Sequence, residues 1–445
     1  MKIFNTYTNS LDPFVPLRPG QVSIYVCGPT VYNYIHIGNA RPVVFFDVVR
    51  RYFESTGMEV KFASNFTDVD DKIIAKARQE GKTEKEISDR YIQAFLDDLV
   101  RLGCKTDYLK PRVTETMDSI IAFIADLVKK DFAYVVGGDV FFRVSRIAEY
   151  GRLSNRNPEE LLAGARVDVN EKKESPLDFV LWKRTEEGIR WNAPFSVGRP
   201  GWHTECVTMI DDLFGGQIDI HGGGADLVFP HHENEIAQSI ACNGHRLARF
   251  WMHNGWMNIN GEKMSKSLGN VVFVKDLPGD AKGFRMFLLA THYRGPINYT
   301  PEGIEAYQSE WGRLKKAVAS LHNFLDLKGN LVPAVEIADA EIRGTLSAFG
   351  EAMENDFNTP NALTALNQLW KILNLLSRQK NDPARMNQAL SAMNRMLEIL
   401  GLEVEQNPLS AEDRALYVEW ETARQNKDFA TADRLRARLA DRDLA

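Results

Sequence analysis

Residues 21–65 constrain the fold of this chain more than any other stretch, because they read as strand, helix, strand. Val22, Ile24 and Val26 alternate along a first strand, which Cys27, Gly28 and Pro29 terminate. A helix starts near Gly38. Its Val44, Phe45, Val48, Val49 and Tyr52 recur at helical spacing, and Gly57 closes it. Val60 and Phe62 then open a second strand. Two strands joined through a helix run parallel in one sheet, so an α/β fold is expected.

Residues 84–131 read as two helices with a break at Lys110 and Pro111. Residues 132–200 mix short strands with turn residues and look like an insertion, so that about 100–200 separates two halves of the sheet. Sheet signals return at 217–221 and 249–252. Beyond about residue 300 the pattern is helical throughout. Amphipathic spacing covers 302–326, 340–355, 361–379 and 384–400, and 411–440 gives two more short helices separated near Asn426. The expected organisation is an α/β catalytic body over 1–300, an all-α bundle over 301–404 and a small helical module over 405–445.

At 445 residues the chain is too long for one ordinary domain, and 44% hydrophobic residues supply a large core. Met1 to Gly20 lack the apolar run of a secretory leader, and no stretch approaches the ~20 apolar residues that span a bilayer. A cytoplasmic protein that does not cross a membrane is expected. Cysteines stand at 27, 104, 206 and 242, too few and too scattered for a disulfide framework. A cysteine with a role here is a metal ligand, a nucleophile or buried filler. The net charge of -6 argues against broad, non-specific nucleic-acid binding, so an RNA partner would have to be gripped locally.

Three places carry chemistry. His36-Ile37-Gly38-Asn39 lies at the start of the first helix, beyond the C-terminal end of a parallel strand, where ligands bind in open α/β sheets. A histidine there either caps the helix or donates to a phosphate, and Gly38 lets a nucleotide approach closely. Lys263-Met264-Ser265-Lys266-Ser267 is either a solvated loop or a cationic one that closes on a triphosphate and offsets charge on the departing pyrophosphate. In Pro230-His231-His232-Glu233-Asn234-Glu235, His231 and Glu235 are four apart, share one helix face and can grip one ion, with His232 pointing elsewhere. Cys27 and Cys206 would complete a zinc site; without local Cys-x-x-Cys spacing, two buried thiols and a capped helix remain the other reading.

Together the H-I-G-N run at 36–39 and the K-M-S-K-S run at 263–267 resemble the two signatures of class I aminoacyl-tRNA synthetases, which have a Rossmann-like sheet split by an insertion. The family's first motif ends in His, whereas Asn39 stands here and can still donate a hydrogen bond. Four longer runs narrow the resemblance: Y-V-C-G-P-T-V-Y at 25–32, G-W-H-T-E-C at 201–206, the run from H-G-G-G-A-D to I-A-Q-S at 221–239, and K-M-S-K-S-L-G-N at 263–270. In this order they are similar to cysteinyl-tRNA synthetases over most of residues 1–400. The resemblance implies one zinc ion held by Cys27, Cys206, His231 and Glu235. It implies a cysteine pocket lined by Gly28, Thr30, Trp202, His221 and Asp226, with Asp226 facing the substrate ammonium and His221 and Trp202 closing round its side chain.

The same resemblance implies ATP, with Mg²⁺, as co-substrate. His36, Gly38 and Asn39 would serve the nucleotide, Lys266 the growing pyrophosphate charge, and Lys263 would assist. The cysteine carboxylate attacks the α-phosphate, and the terminal ribose 2′-OH of tRNA(Cys) then takes the aminoacyl group. A separate editing domain is unnecessary, because a thiol that ionises near pH ~8.5 binds zinc and a serine hydroxyl does not.

Asp356-Phe357-Asn358-Thr359-Pro360 resembles the start of that family's helical bundle, and also reads simply as a helix start. Arg424, Phe429 and Asp433, beside Lys427 and Asp428, match positions that read the anticodon in the family, although 405–445 lacks a further short tail found there. A monomer is expected. One rival shares the fold, a ligase joining cysteine to an amino-sugar through the same adenylate. A second is a non-catalytic zinc or nucleotide-binding regulator. The anticodon reader that the resemblance implies argues against the first, and the two phosphate-handling motifs against the second.

Overall fold

The computed structural model describes residues 1–157, 172–264, 269–332 and 335–440, with Lys263 described through its backbone alone. It forms two compact units. One comprises Met1–Leu277 with Tyr293–Asn298, the other Pro278–His292 with Tyr299–Ala445.

The first unit is built on a parallel four-stranded sheet of β1 (Gln21–Val26), β2 (Glu59–Ser64), β3 (Ile218–Gly224) and β4 (Ala248–Asn254), in the order β4-β3-β1-β2. In central β1, Ile24, Tyr25 and Val26 are all buried, as covering both faces of a parallel sheet requires. Helix α1 (Ile37–Ser55) joins β1 to β2 as expected, burying Val44, Phe45, Val48, Val49 and Tyr52. The chain leaves it through Gly57, whose φ of 84° is left-handed.

Between β2 and β3 lie the helices Asp71–Glu80, Glu84–Arg101 and Met117–Lys129 and a five-stranded antiparallel sheet running from Ala133–Val136 to Val197–Pro200. The first of these helices escaped the sequence reading. It is 10 residues long and buries only Ile73, Ile74 and Ala77, too short a pattern for periodicity to register. Residues 158–171 of the insertion lie outside the described residues. Helix α2 (Trp202–Phe214) precedes β3 and α3 (Glu233–Asn243) follows it. Cys206, Ile210, Ile236 and Ala237 from these helices join Tyr25 and Trp251 of the sheet in one core.

The second unit is helical, as expected, with Pro301–Leu327, Ala340–Glu354, Thr359–Gln379 and Pro383–Leu400 within a residue or two of the periodicity. It also takes in residues ahead of 300. Helix Ala281–Leu289 belongs to it, because Arg285, fully buried, donates Nε–H to the Leu400 carbonyl at 2.6 Å and so closes the end of Pro383–Leu400. Asn358 caps Thr359–Gln379 through the Asn361 N–H at 3.1 Å. Ala411–Gln425 and Phe429–Ala440 form a hairpin with a small apolar cluster of its own that includes Leu416, Tyr417, Leu435 and Leu439. Among the described residues no helix is long and apolar enough to cross a membrane.

Asp98 on Glu84–Arg101 is 3% exposed, with Arg101 facing it at 3.7 Å and Lys275 acting from farther off. Burial pushes its carboxyl from 3.8 up to about 6. A carboxyl raised on folding contributes stability below its unfolded pKa and loses it as pH rises through the folded value. Asp98→Asn is therefore expected to raise the thermal unfolding midpoint near pH ~7.5, with more than half of that gain gone by pH ~4.5. Thermal scans of both proteins at the two pH values check this.

Candidate active site and metal centre

Two thiols, an imidazole and a carboxylate converge beyond the C-terminal ends of β1 and β3. Cys27 follows β1 directly, Cys206 sits in the first turns of α2, and His231 and Glu235 lie one helical turn apart at the entrance to α3. Cys27 Sγ is 3.6 Å from Cys206 Sγ and 3.6 Å from Glu235 Oε1, and Cys206 Sγ is 3.9 Å from His231 Nε2. Zinc bonds of about 2.0–2.3 Å give a tetrahedron with edges of about 3.3–3.8 Å. The four donors therefore already stand at close to that spacing; only His231 Nε2 and Glu235 Oε1, at 2.8 Å, are closer, as a direct ion pair. The residues fit the ion implied by their types.

A second set, Cys27, His221, His232 and Glu235, also brings its donor atoms within 4.8 Å of one another. It faces the core. His221 and His232 are both fully buried and lean on the buried Trp251 at ring distances of 4.7 and 5.2 Å. His231 instead stacks at 4.2 Å under Trp202, which is 43% exposed and lines the cavity. The first set is thus the one that opens outward.

The electrostatics favour a cation. A hydrogen bond from the Cys27 thiol, aided by His231 against burial, brings Cys206 down to about 6, while burial pushes Cys27 well up. Burial opposes charge on Glu235, yet His221 and His231 hold it well below the usual carboxylate range. Burial also works against charge on His231, but Glu235 and Cys206 outweigh it and raise it to about 10. An acidic thiol and an ionised carboxylate buried together are donors ready to bind a metal.

Around them lie residues the sequence reading passed over. His203 Nδ1 is 2.9 Å from His231 Nδ1. His232 does not point elsewhere: its Nε2 is 3.3 Å from Cys27 Sγ, and its Nδ1 is 2.8 Å from His253 Nε2, which reaches Thr6 through its other nitrogen. The chain is kinked just ahead of His232, with Phe229 extended at φ -137° and ψ 132°. His203 and His253 are each held down to about 3, by burial first and then by His231 and His221 respectively. His203 stood within the 201–206 run, and His253 at the C-terminal end of a parallel strand, so position alone could have flagged both.

Of the expected pocket residues, Gly28, Thr30, Trp202 and Asp226 line a cavity of about 310 Å³ together with Cys27. A Cβ on Gly28 would lie 1.6 Å from the Asn65 carbonyl oxygen, so only glycine fits there. His221 is not among the lining residues. It sits behind the carboxylate, with Nε2 2.6 Å from Glu235 Oε2, where it buttresses a donor and does not close round a side chain.

The same cavity is lined by His36, Gly38 and Asn39. His36 caps α1: its Nδ1 accepts from the Asn39 N–H at 3.2 Å, and the Asn39 side chain accepts from the His36 N–H at 3.4 Å. Gly38 faces the second motif, since a Cβ there would meet the Met264 methyl at 2.7 Å. Ile37 N–H donates to Val272 O and Val274 N–H to Ile35 O, which ties the two motifs through backbone. Arg41, unremarked in the sequence, adds a clamp from α1, with Nη1 on the Gly255 and Trp256 carbonyls and Nη2 on that of Gly295. Lys266 lies outside the described residues, as does the Lys263 side chain. Arg424, Phe429 and Asp433 are exposed at or near the hairpin turn of the last two helices, Phe429 by 70%.

A parallel sheet with a donor cluster and a helix-capped motif at one end is the layout of a class I tRNA synthetase. Residues 13–309 match the family described as tRNA synthetases class I (C) catalytic domain, and 348–405 match the DALR domain. Solved structures agree on the fold at TM-scores of 0.59 for a Mycobacterium tuberculosis methionyl-tRNA synthetase in complex with methionyl-adenylate (16% identity, 86% of this chain and 90% of that one) and 0.62 for an Agrobacterium radiobacter LeuRS–tRNA–LeuAMS complex (12% identity, 87% and 85%). The cysteine–tRNA ligase of Anoxybacillus flavithermus is 47% identical over 449 residues, covering 100% of this chain and 97% of its own. That of Bacillus velezensis is 46% identical over 447, covering 99% and 96%. The chain belongs to the cysteine–tRNA ligase family.

Cys206→Ala and His231→Ala are each expected to cut the zinc retained after gel filtration from about one ion per chain to under ~0.1. Elemental analysis of the folded variants checks this.

Proposed function

We propose that this protein activates cysteine with ATP and loads it onto tRNA(Cys), acting as a cytoplasmic monomer. The observation that carries this reading is that one cavity is lined by Cys27 and Trp202 and also by His36 and Asn39. It can hold a thiol-bearing amino acid against a nucleotide phosphate. Zinc, when bound by Cys27, Cys206, His231 and Glu235, would supply a Lewis acid that accepts a thiolate and leaves a serine hydroxyl unbound.

The chain's own groups supply the rest by positioning and charge. Asp226, exposed in the cavity wall, pairs with the substrate ammonium. Gly28 and Thr30 shape the floor, and Trp202 covers the side chain. His221 holds Glu235 in place from behind. The substrate carboxylate is already an anion and needs no general base. Its oxygen bonds to the α-phosphorus of ATP as the bond to the pyrophosphate oxygen breaks. His36, Gly38 and Asn39 bind the phosphates at the start of α1, with Mg²⁺ accompanying ATP, and Lys263 and Lys266 neutralise the departing pyrophosphate. The terminal ribose 2′-OH then attacks the adenylate carbonyl and AMP leaves.

Residues 1–300 would perform this chemistry, 301–404 bind the tRNA body, and 405–445 meet the anticodon. Phe429 offers an exposed ring for stacking, with Arg424 and Asp433 for base edges. A tRNA acceptor is favoured over an amino-sugar by the helical unit, for which a small acceptor has no use.

Amino-acid-dependent ATP–pyrophosphate exchange tests the reading. Zinc-loaded protein is expected to exchange with cysteine and at least ~1,000-fold less with serine, and to lose exchange on chelation. His36→Ala should lower kcat of exchange about 100-fold. Asp226→Asn should raise the KM for cysteine about tenfold or more. A zinc-loaded, folded protein inert with cysteine would overturn the reading.

A further inference from the structure

The loop from β1 to α1 carries two tyrosines that the activation chemistry leaves without a task. Tyr32 and Tyr34 line the cavity beside His36, and Tyr34 is 37% exposed, unusual for a large ring at the rim of an apolar pocket. Each ring has an ammonium over it: Lys72 Nζ lies 5.4 Å from the Tyr32 centroid and Lys275 Nζ 4.8 Å from that of Tyr34. Tyr34 is held in a fixed pose, edge-on to Tyr91 at 5.3 Å and to Phe273 at 6.4 Å. Its backbone N–H is bound by Asn33 Oδ1 at 2.9 Å. Arg90, 4.6 Å over the Tyr91 ring, is held there by Glu80 at 2.8 Å and so helps to fix that ring.

Fixed aromatic rings paired with mobile cations are how proteins take up single-stranded nucleic acid. Bases stack on the rings, and the cations swing to the phosphates. The transfer step needs such an element. The acceptor ribose must enter the cavity, and the unpaired nucleotides preceding it must cross the rim. In a chain with a net charge of -6, Lys72 on the cavity lining, with Lys275 nearby in a surface pair with Asp276 that a phosphate can displace, offers a polyanion a local contact.

We propose that Tyr32 and Tyr34, with Lys72 and Lys275, form a platform that stacks the single-stranded 3′ end of the RNA substrate and feeds its terminal ribose into the adenylate cavity. The proposal rests on the tRNA-ligase reading. It names binding residues for the transfer step alone.

The test uses the full-length, zinc-loaded protein. Tyr34→Ala is expected to raise the KM for tRNA in aminoacylation about tenfold, with the KM for ATP in cysteine-dependent exchange moving less than about twofold. Tyr34→Phe, which keeps the ring, should stay within about twofold on both. For Lys72→Ala, the slope of log(kcat/KM) for tRNA against log salt should fall by about 0.7. In competition binding, Tyr34→Ala should be weaker than wild type for intact tRNA and equal to it for tRNA trimmed of its unpaired 3′ nucleotides. Equal losses on trimmed and intact tRNA would place Tyr34 elsewhere on the tRNA and overturn the platform. So would a parallel rise in the KM for ATP, which would make the ring part of the nucleotide site, or unchanged tRNA kinetics in Tyr34→Ala. If wild type itself fails to exchange with cysteine, it is the underlying reading that falls.

Discussion

Glu235 is fully buried, and a carboxylate taken out of water costs several kcal/mol unless positive groups and hydrogen bonds meet it. Here both oxygens are met, Oε1 by His231 and Oε2 by His221. Those two imidazoles come from different places, one from the start of α3 and the other from β3, so the carboxylate pins a helix to the sheet. Cys27 and Cys206 then crowd its remaining side. Glu235 and an acidic Cys206 leave the cluster with more capacity for negative charge than His231 offsets. A divalent cation that displaces the His231 proton closes that balance, so the demands of folding and of binding a metal coincide at one residue.

Everything at the other end of the cavity depends on how α1 is held. The His36–Asn39 cap fixes its first turn, and backbone hydrogen bonds from Ile37 and to Ile35 attach that turn to residues 272–274. Arg41 binds the chain at Gly255 and Trp256, just before the strand Met257–Ile259, which pairs with Glu262–Lys263. Met264 then fits against Gly38. A guanidinium buried on three carbonyls is rigid, since each bond it abandoned would leave a polar group unsatisfied. The first turn of α1 is thereby held against Gly255, Trp256, Met264 and residues 272–274.

Local pattern made much of this legible. The strand–helix–strand unit, the helix bounds in the second unit and the shared face of His231 and Glu235 all follow from periods of 2 and 3.6 residues. The meeting of Cys27 with Cys206 does not, because no spacing encodes which strand lies beside which. That pairing was reached by resemblance, and the order β4-β3-β1-β2 is what realises it. His232 was misdirected because helical spacing says which residues share a face and not what packs beside the next face, where Cys27 and His253 lie. The packing of Ala281–Leu289 was not legible either, because Arg285 looks like an ordinary helix cation in sequence, and its buried bond to the Leu400 carbonyl is what ties its helix to Pro383–Leu400.

Net charge was the observation that sat least well with an RNA substrate, and the structure shows why the sum misleads. Charges farther apart than about 8 Å are largely screened at physiological salt, so a polyanion responds to the cations within that reach and hardly to the total. Many acidic side chains are also locally neutralised, as Asp131 and Glu174 are by Arg143, and Glu80 by Arg90 and Lys76. Lys72, by contrast, lies over the uncharged Tyr32 ring and lines the cavity, while Lys275, over the Tyr34 ring, also pairs with Asp276 at 2.8 Å. An ammonium on an aromatic face keeps most of its charge available, because the ring quadrupole attracts it without cancelling it. A diffuse negative charge with a few cations so placed disfavours RNA over most of the surface and admits it at the rim, which serves a ligase that must take one part of one RNA.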